Sequence, residues 1–381
     1  MLPISTPDAL AHSQRVVAYL QKRIQRAGGW ISFAQFMEAA LYAPGLGYYA
    51  AGATKLGAAG DFVTAPEMTP LFGRTLAHAV APVLAETGGE VLELGAGSGR
   101  LAVDVLAELQ RLDALPTRYC VLEVSADLRA RQQERLAHEL PHLAGRVQWL
   151  DALPAHFSGV MLGNEVLDAL PVELVHWTQD APMLRGVSLD GETFAWQDRP
   201  IIDPTLRARA DALNLAPGYL SEISLAAGAL VAALAQCLDH GLILMIDYGF
   251  GESEYYHPQR HMGTLRAHYR HHALDDPFYL PGLCDLTAHV DFSAVARAGT
   301  AAGLELAGYA SQANFLINAG LTDVLMQISP SDAAAYLPQA NAVQRLVSPA
   351  EMGDLFKAIA FTRGKVAPLA GFARGDRGHS L

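Results

Sequence analysis

Apolar runs and amphipathic stretches alternate along this chain from residue 90, and the alternation predicts strand 90–94, helix 99–111, strand 118–124, helix 126–139, and strands 146–150 and 158–163. Strands alternating with helices build a mostly parallel sheet covered by helices, which places the chain in the α/β class with a Rossmann-like sheet. LILMIDYG at 242–249 is an unbroken apolar run ending in polar residues, as a central strand buried on both faces requires. Beyond it the pattern predicts helix 292–302, strand 304–310, short helices over 320–346 and a final strand 354–363. Ahead of the repeat, residues 13–43 predict two amphipathic helices, Gly45 to Gly60 a Gly- and Ala-rich loop suited to a lid, and Pro70 to Leu84 a further helix. Val172 to Pro200 is β-like around a turn at Leu189-Asp190-Gly191 and predicts an inserted hairpin, a candidate partner surface. The expected organisation is an N-terminal helical segment and lid loop over 1–84. One catalytic domain then follows over 85–381, with inserts at about 172–200 and 250–290 and a helical insert at about 320–350.

The longest apolar stretch, Ile223 to Leu238, contains Gln236 and lies between Glu222 and Asp239. It is shorter than the roughly 20 residues that cross a bilayer, so it predicts a buried helix and no membrane insertion. Half the chain is apolar and only 17% is charged, a composition that folds into a packed core. A net charge of −12 argues against a nucleic-acid partner, since phosphate binding needs clustered Lys and Arg. Three cysteines, Cys120, Cys237 and Cys284, share no C-x-x-C spacing and predict neither disulfides nor a metal site. Arg15, Lys22, Arg23 and Arg26 lie on a helix without an apolar signal core, which is read as the first helix of the mature protein. The expected location is cytoplasmic. Oligomeric state is not legible, because the apolar face of an interface reads like core.

VLELGAGSGR at 91–100 is a buried strand running into a glycine turn and a helix, with Gly95, Gly97 and Gly99 clearing side chains from the backbone. Such a turn fits an unspecified loop, a dinucleotide site or an S-adenosylmethionine site. The alternation G-x-G-x-G with Arg100 next departs from the dinucleotide pattern and resembles the first motif of class I S-adenosylmethionine methyltransferases, where Glu93 is the acid before the turn. Ligands of an open α/β sheet sit at the carboxyl ends of the strands, so the polar residues there are the candidates. Glu123 ends the second strand, 28 residues beyond Gly95, where a carboxylate can accept both ribose hydroxyls; a solvated Glu is the plain alternative. Asp151, followed by Ala152, can receive an adenine amino group or cap a helix. Asn164, Glu165 and Asp168 follow the fourth strand, and the two carboxylates share one face if a helical turn follows, matching a guanidinium fork. Otherwise Asp168 caps a helix and Glu165 is solvated. Asp247 and Tyr248 end the fifth strand as site members or as part of an internal salt bridge. The run HYRHH at 268–272 has no metal-ligand spacing and predicts a hydrogen-bonding loop. His289 is a candidate base oriented by Asp291, which alternatively caps the helix starting at Phe292.

Several long motifs then recur in one order: ISFAQFMEAALYAPGLGYY at 31–49, GDFVTAPEMTPLFG at 60–73, ELGAGSGRL at 93–101, GNEVLDALPV at 163–172, IDYGF at 246–250, GTLRAHYRHHALDDP at 263–277, DLTAHVDFSAVARAG at 285–299 and MGDLFKAIAFTRG at 352–364. With them the chain resembles the S-adenosylmethionine-dependent methyltransferase family that includes the mitochondrial complex I assembly factor described as a protein arginine methyltransferase. The resemblance implies a class I methyltransferase fold, with S-adenosyl-L-methionine near Glu93, Gly95, Ala96, Gly97, Gly99, Glu123 and Val124. It also implies a protein client with a target arginine, a respiratory complex subunit in the mitochondrial relative. Val63, Met68 and Thr69 vary within the second motif, while Asp61 and Glu67 keep it. Asp61, Thr64 and Glu67 are the polar contacts of a segment that closes over cofactor or substrate, although T-x-x-E is also a capping box. An assembly chaperone with little turnover, a small-molecule methyltransferase and an NAD-dependent oxidoreductase are the competing readings. The last is disfavoured by Arg100 and by the missing hydride-transfer constellation.

Overall fold

The computed structural model describes residues 2–51 and 64–381. The chain divides into two compact units, one drawn from Val63–Val166, Leu230–Gly251 and Phe292–Leu381, the other from Met1–Phe62, Leu167–Ala229 and Glu252–Asp291. Helix Pro70–Thr87, grouped by its sequence position with the N-terminal segment, packs in the core of the first unit. The stretches around 172–200 and 250–290 join the N-terminal helices in the second.

The first unit is built on seven strands: β1 (Glu90–Leu94), β2 (Tyr119–Leu122), β3 (Val147–Leu150), β4 (Phe157–Asn164), β5 (Leu238–Phe250), β6 (Glu305–Ser311) and β7 (Phe356–Arg363). They lie in the order β3-β2-β1-β4-β5-β7-β6. β3, β2, β1, β4 and β5 are parallel, and β7 runs antiparallel to both of its neighbours. This is the expected α/β sheet, and its order reverses beside β1, the place where open sheets bind ligands. Leu242 to Ile246 of β5 are each at most 2% exposed, which explains their unbroken apolar run. Helix Arg100–Arg111 presents Leu101, Ala102, Val105, Leu106 and Leu109 to the core at helical spacing.

In the second unit, helix Pro7–Arg26 buries Val16, Leu20 and Ile24, one residue per turn, in a core shared with Phe33, Phe36 and Met37. Residues 13–43 are not two helices alone. Strand Trp30–Ser32 interrupts them and pairs with Pro182–Asp190, and Ser32 then starts helix Phe33–Tyr42 through a capping box with Gln35. Pro182–Asp190 and Thr193–Pro200 form the expected hairpin. The polar stretch after residue 250 contains a three-stranded sheet of Arg266–Tyr269, His272–Leu274 and Asp285–Thr287. Strands of three or four residues are too short for an alternation to stand out, so their pattern reads as loop, although Ala267, Tyr269 and Leu286 are buried. HYRHH is the turn of this sheet, with Arg270 and His271 both at positive φ and Arg270 O within 2.8 Å of His272 Nδ1. All three cysteines are buried thiols. Among the described residues no helix is long and apolar enough to cross a membrane.

Candidate active site

The glycine turn leaves β1 at Gly95, whose N–H extends the sheet to Leu122 O at 3.0 Å. Gly97 and Gly99 have φ of 53° and 81°, a region open to glycine at little cost. At Gly99 packing adds a second reason. A Cβ there would come within 3.2 Å of the Gln132 Cα, so the third glycine lets helix Ala126–Glu139 approach the turn. Ser98 ties the turn down further. Its hydroxyl donates to Glu67 and accepts from Arg135 Nη1 at 3.2 Å and from the Arg100 N–H at 3.3 Å. The capping-box reading of Thr64 and Glu67 therefore fails, for Thr64 makes no side-chain cap bond and Glu67 serves the glycine turn instead. Asp61 lies outside the described residues, as does most of the segment read as a lid.

Two buried carboxylates flank the turn. Glu93, 2% exposed, accepts a hydrogen bond from Tyr119 Oη at 2.6 Å. Burial pushes its pKa up to about 7, the tyrosine opposes the shift and the charge of Glu123 adds to it. A carboxyl whose folded pKa exceeds its unfolded value adds stability fully present below about 4.5 and lost as pH climbs through 7. Wild-type protein should therefore lose stability between those values, and Glu93→Gln should flatten that slope. At pH 8 the variant should be the more stable by up to about 3 kcal/mol, since each tenfold change in proton affinity is worth about 1.4 kcal/mol. Urea unfolding at several pH values reads this directly, and parallel curves for both proteins would place the titration elsewhere.

Glu123 accepts from the Ser125 N–H at 2.9 Å and from Gln132 Nε2 at 3.0 Å. Its pKa is raised by burial, against the lowering effect of these donors. A carboxylate has about four acceptor sites, so lone pairs remain for a diol. Glu123 also lines an open cleft of about 450 Å³ with Leu122, Val124, Arg129 and Asp151. Val124 is 79% exposed there, an apolar wall suited to a flat ring. No helix follows Asp151, which removes the cap reading. Its Oδ1 instead takes Arg129 Nη2 at 2.8 Å, and Ala152 sits in the bend beyond.

At the end of β4 the chain does what its pattern did not predict. Glu165 adopts φ 52°, a left-handed conformation rare for a residue with a Cβ. Its N–H bonds Ile246 O at 2.8 Å, and the next N–H, of Val166, bonds Asp247 Oδ2 at 3.0 Å. Asp247 Oδ1 accepts the Tyr248 N–H at 2.9 Å, so this buried carboxylate pins the turn that presents Glu165. Tyr248 packs on Phe356 with ring centroids 5.3 Å apart. Asn164 Nδ2 donates to Glu165 Oε1 at 3.2 Å. Asn164 Oδ1 is buried without a protein partner, an acceptor at the sheet rim that a ligand's N–H donor would satisfy. With the glycine turn, the carboxylate and the apolar wall, this acceptor fits an adenosyl amino acid, which carries a diol, a flat base and an ammonium.

The helical turn expected to align Glu165 with Asp168 does not form. Residues 165–170 are irregular, and the chain passes between the two units at Val166-Leu167. Asp168 and His289 belong to the second unit. There Tyr49 Oη donates to Asp285 at 2.9 Å, and burial, then Asp285, Tyr42 and Asp168, raise its pKa well above the usual value. The His289 N–H bonds Thr264 Oγ1 at 3.0 Å, and Thr264 is held by Glu222 through its own N–H at 2.9 Å. Asp291 accepts from Arg209 Nη2 at 3.1 Å. Sequence reasoning missed Gln132, Ser98, Arg129 and Glu222. Ser98 lies inside the quoted motif, but the other three act across the fold and carry no local signal.

A family model described as S-adenosyl-L-methionine-dependent methyltransferase matches residues 74–310. A crystal structure from Burkholderia thailandensis, described as a methyl transferase bound to S-adenosyl-homocysteine, is 52% identical with a TM-score of 0.97 over 100% of both chains. Among curated relatives, protein arginine methyltransferase NDUFAF7, mitochondrial, of Danio rerio is 29% identical over 87% of this chain and 83% of its own length. The Drosophila melanogaster homologue is 29% identical over 97% and 92%. Both relatives are mitochondrial, which overturns the expectation of a cytoplasmic location.

Proposed function

This chain belongs to the S-adenosyl-L-methionine-dependent methyltransferase family, and from that premise we propose that it methylates an arginine side chain of a protein client. The observation that carries the reading is Glu165, a carboxylate held in a left-handed conformation at the rim of the cofactor sheet and pinned there by Asp247. When bound, the cofactor supplies an electrophilic methyl group on a sulfonium. The protein's part is to hold a nucleophile in line and keep water away. A guanidinium matches a carboxylate through its fixed fork of donors, and the charge of Glu165 offsets the positive charge that the nitrogen gains on methylation, the same carboxylate being the acceptor for the N–H proton then released. Relatives named as protein arginine methyltransferases support the same acceptor. A respiratory complex subunit is the client the motif resemblance suggests.

Incubating the protein with methyl-labelled S-adenosyl-L-methionine and an extract of its source cells, followed by mass spectrometry, should reveal a labelled protein carrying dimethylarginine. Label on a small molecule only, or cofactor binding without any label, would replace this reading by a small-molecule methyltransferase or an assembly chaperone. Glu123→Ala should weaken cofactor binding by roughly 1–3 kcal/mol, the value of a hydrogen bond to a charged group. Calorimetry giving an unchanged dissociation constant would remove that carboxylate from the ribose site.

A further inference from the structure

Gln132 makes three hydrogen bonds through one buried amide. Its Nε2 donates to Gly97 O at 2.9 Å and to Glu123 Oε2 at 3.0 Å, while its Oε1 accepts from Trp149 Nε1 at 2.9 Å. The side chain is 3% exposed, so each bond is made in a poorly solvated setting. An indole N–H can only donate, which fixes the amide: the flipped form would set its oxygen against a carbonyl and a carboxylate. Trp149 on β3 thus decides which way Gln132 on the helix faces, and Gln132 joins the glycine turn after β1 to the acid after β2. With the Ser125 N–H on Oε1, the Glu123 carboxylate is held from both oxygens before any ligand arrives.

We propose that Gln132, oriented by Trp149, is the positioning residue that locks the ribose-accepting carboxylate to the glycine turn, so that the ribose and the part of the cofactor lying on that turn are read by one rigid frame. The proposal rests on reading Glu123 as the ribose acceptor. It makes cofactor selectivity depend on two residues that no ligand-facing pattern marks.

The test compares S-adenosyl-homocysteine with its 2′-deoxy analogue by calorimetry, on wild-type protein and on Gln132→Met, Trp149→Phe and Glu123→Ala. Wild type should prefer the ribose form at least tenfold, and Glu123→Ala should abolish that preference. Gln132→Met, near in shape but without donors, should lose most of it, and Trp149→Phe a part, with thermal midpoints confirming folded protein. A purely structural role would weaken both ligands equally and leave the ratio unchanged. Trp149 supplies a second readout, being the single tryptophan of the sheet unit. Ligand-induced change in its fluorescence should vanish in Gln132→Met. Full preference in a folded Gln132→Met, with Glu123→Ala showing none, overturns the proposal alone. Equal affinity of the wild type for both ligands overturns the ribose reading and the proposal together.

Discussion

Replacing Glu165 with Gln is expected to leave S-adenosyl-homocysteine affinity within about twofold and to lower methyl transfer at least tenfold, about 1.4 kcal/mol of barrier. Gln keeps the size and one acceptor oxygen but loses the charge that attracts a guanidinium. Glu165→Gly makes the sharper comparison. A residue with a Cβ held at φ 52° carries a conformational cost of about 1–2 kcal/mol that glycine escapes. The glycine variant should therefore be as stable as the wild type or more so in thermal unfolding, while turning over no faster than the Gln variant. A position where stability rises as activity falls is one where strain has been kept for function. Wild-type turnover in either variant would remove Glu165 from the chemistry, and a clear loss of stability in Glu165→Gly would mean that its side chain is there for packing.

Asp247→Ala should be the most damaging single change around the site. Asp247 is 1% exposed and accepts the N–H groups of Val166 and Tyr248, one on each oxygen. Alanine leaves both donors without that acceptor, at about 1–3 kcal/mol each, so a loss of roughly 2–5 kcal/mol in urea unfolding is expected. The turn presenting Glu165 then loses its anchor, and transfer should fall further than in Glu165→Gln. Asp247→Asn is the milder control, since it keeps one acceptor and turns an N–H donor toward the other amide. Hydrogen exchange at Val166 and Tyr248 follows the pin itself. Protection unchanged in Asp247→Ala would show that other contacts hold the turn, and Asp247 would then have no positioning role. The register also sets Lys357 of β7 directly across from Asp247, so the substitution alters the charge pattern of a buried strand pair.

The sheet was readable because its signals are local. A continuous apolar run and a 3.6-residue period both depend on neighbours a few residues apart, and β5 carries the first and helix Arg100–Arg111 the second. The glycine turn and the acid closing β2 were legible for the same reason: turn chemistry is written within a handful of residues. The short strands after residue 250 were not, because three or four residues are too few to establish a period, although Ala267, Tyr269 and Leu286 are buried in the core.

The sequence alone determined the α/β class, the glycine turn from Gly95 to Gly99, the acid Glu123 closing the next strand and strand ends bearing Asn164, Glu165 and Asp247. Only the tertiary structure decided how these residues are held and what they contact. It set Glu165 in a left-handed turn, assigned Asp168 to the other unit, made a pin of Asp247 and placed Gln132 between Gly97, Glu123 and Trp149. The physical reason is range. Val166 and Asp247 are 81 residues apart in the chain and 3.0 Å apart in space, and a hydrogen bond of that kind leaves no periodicity in the sequence that specifies it.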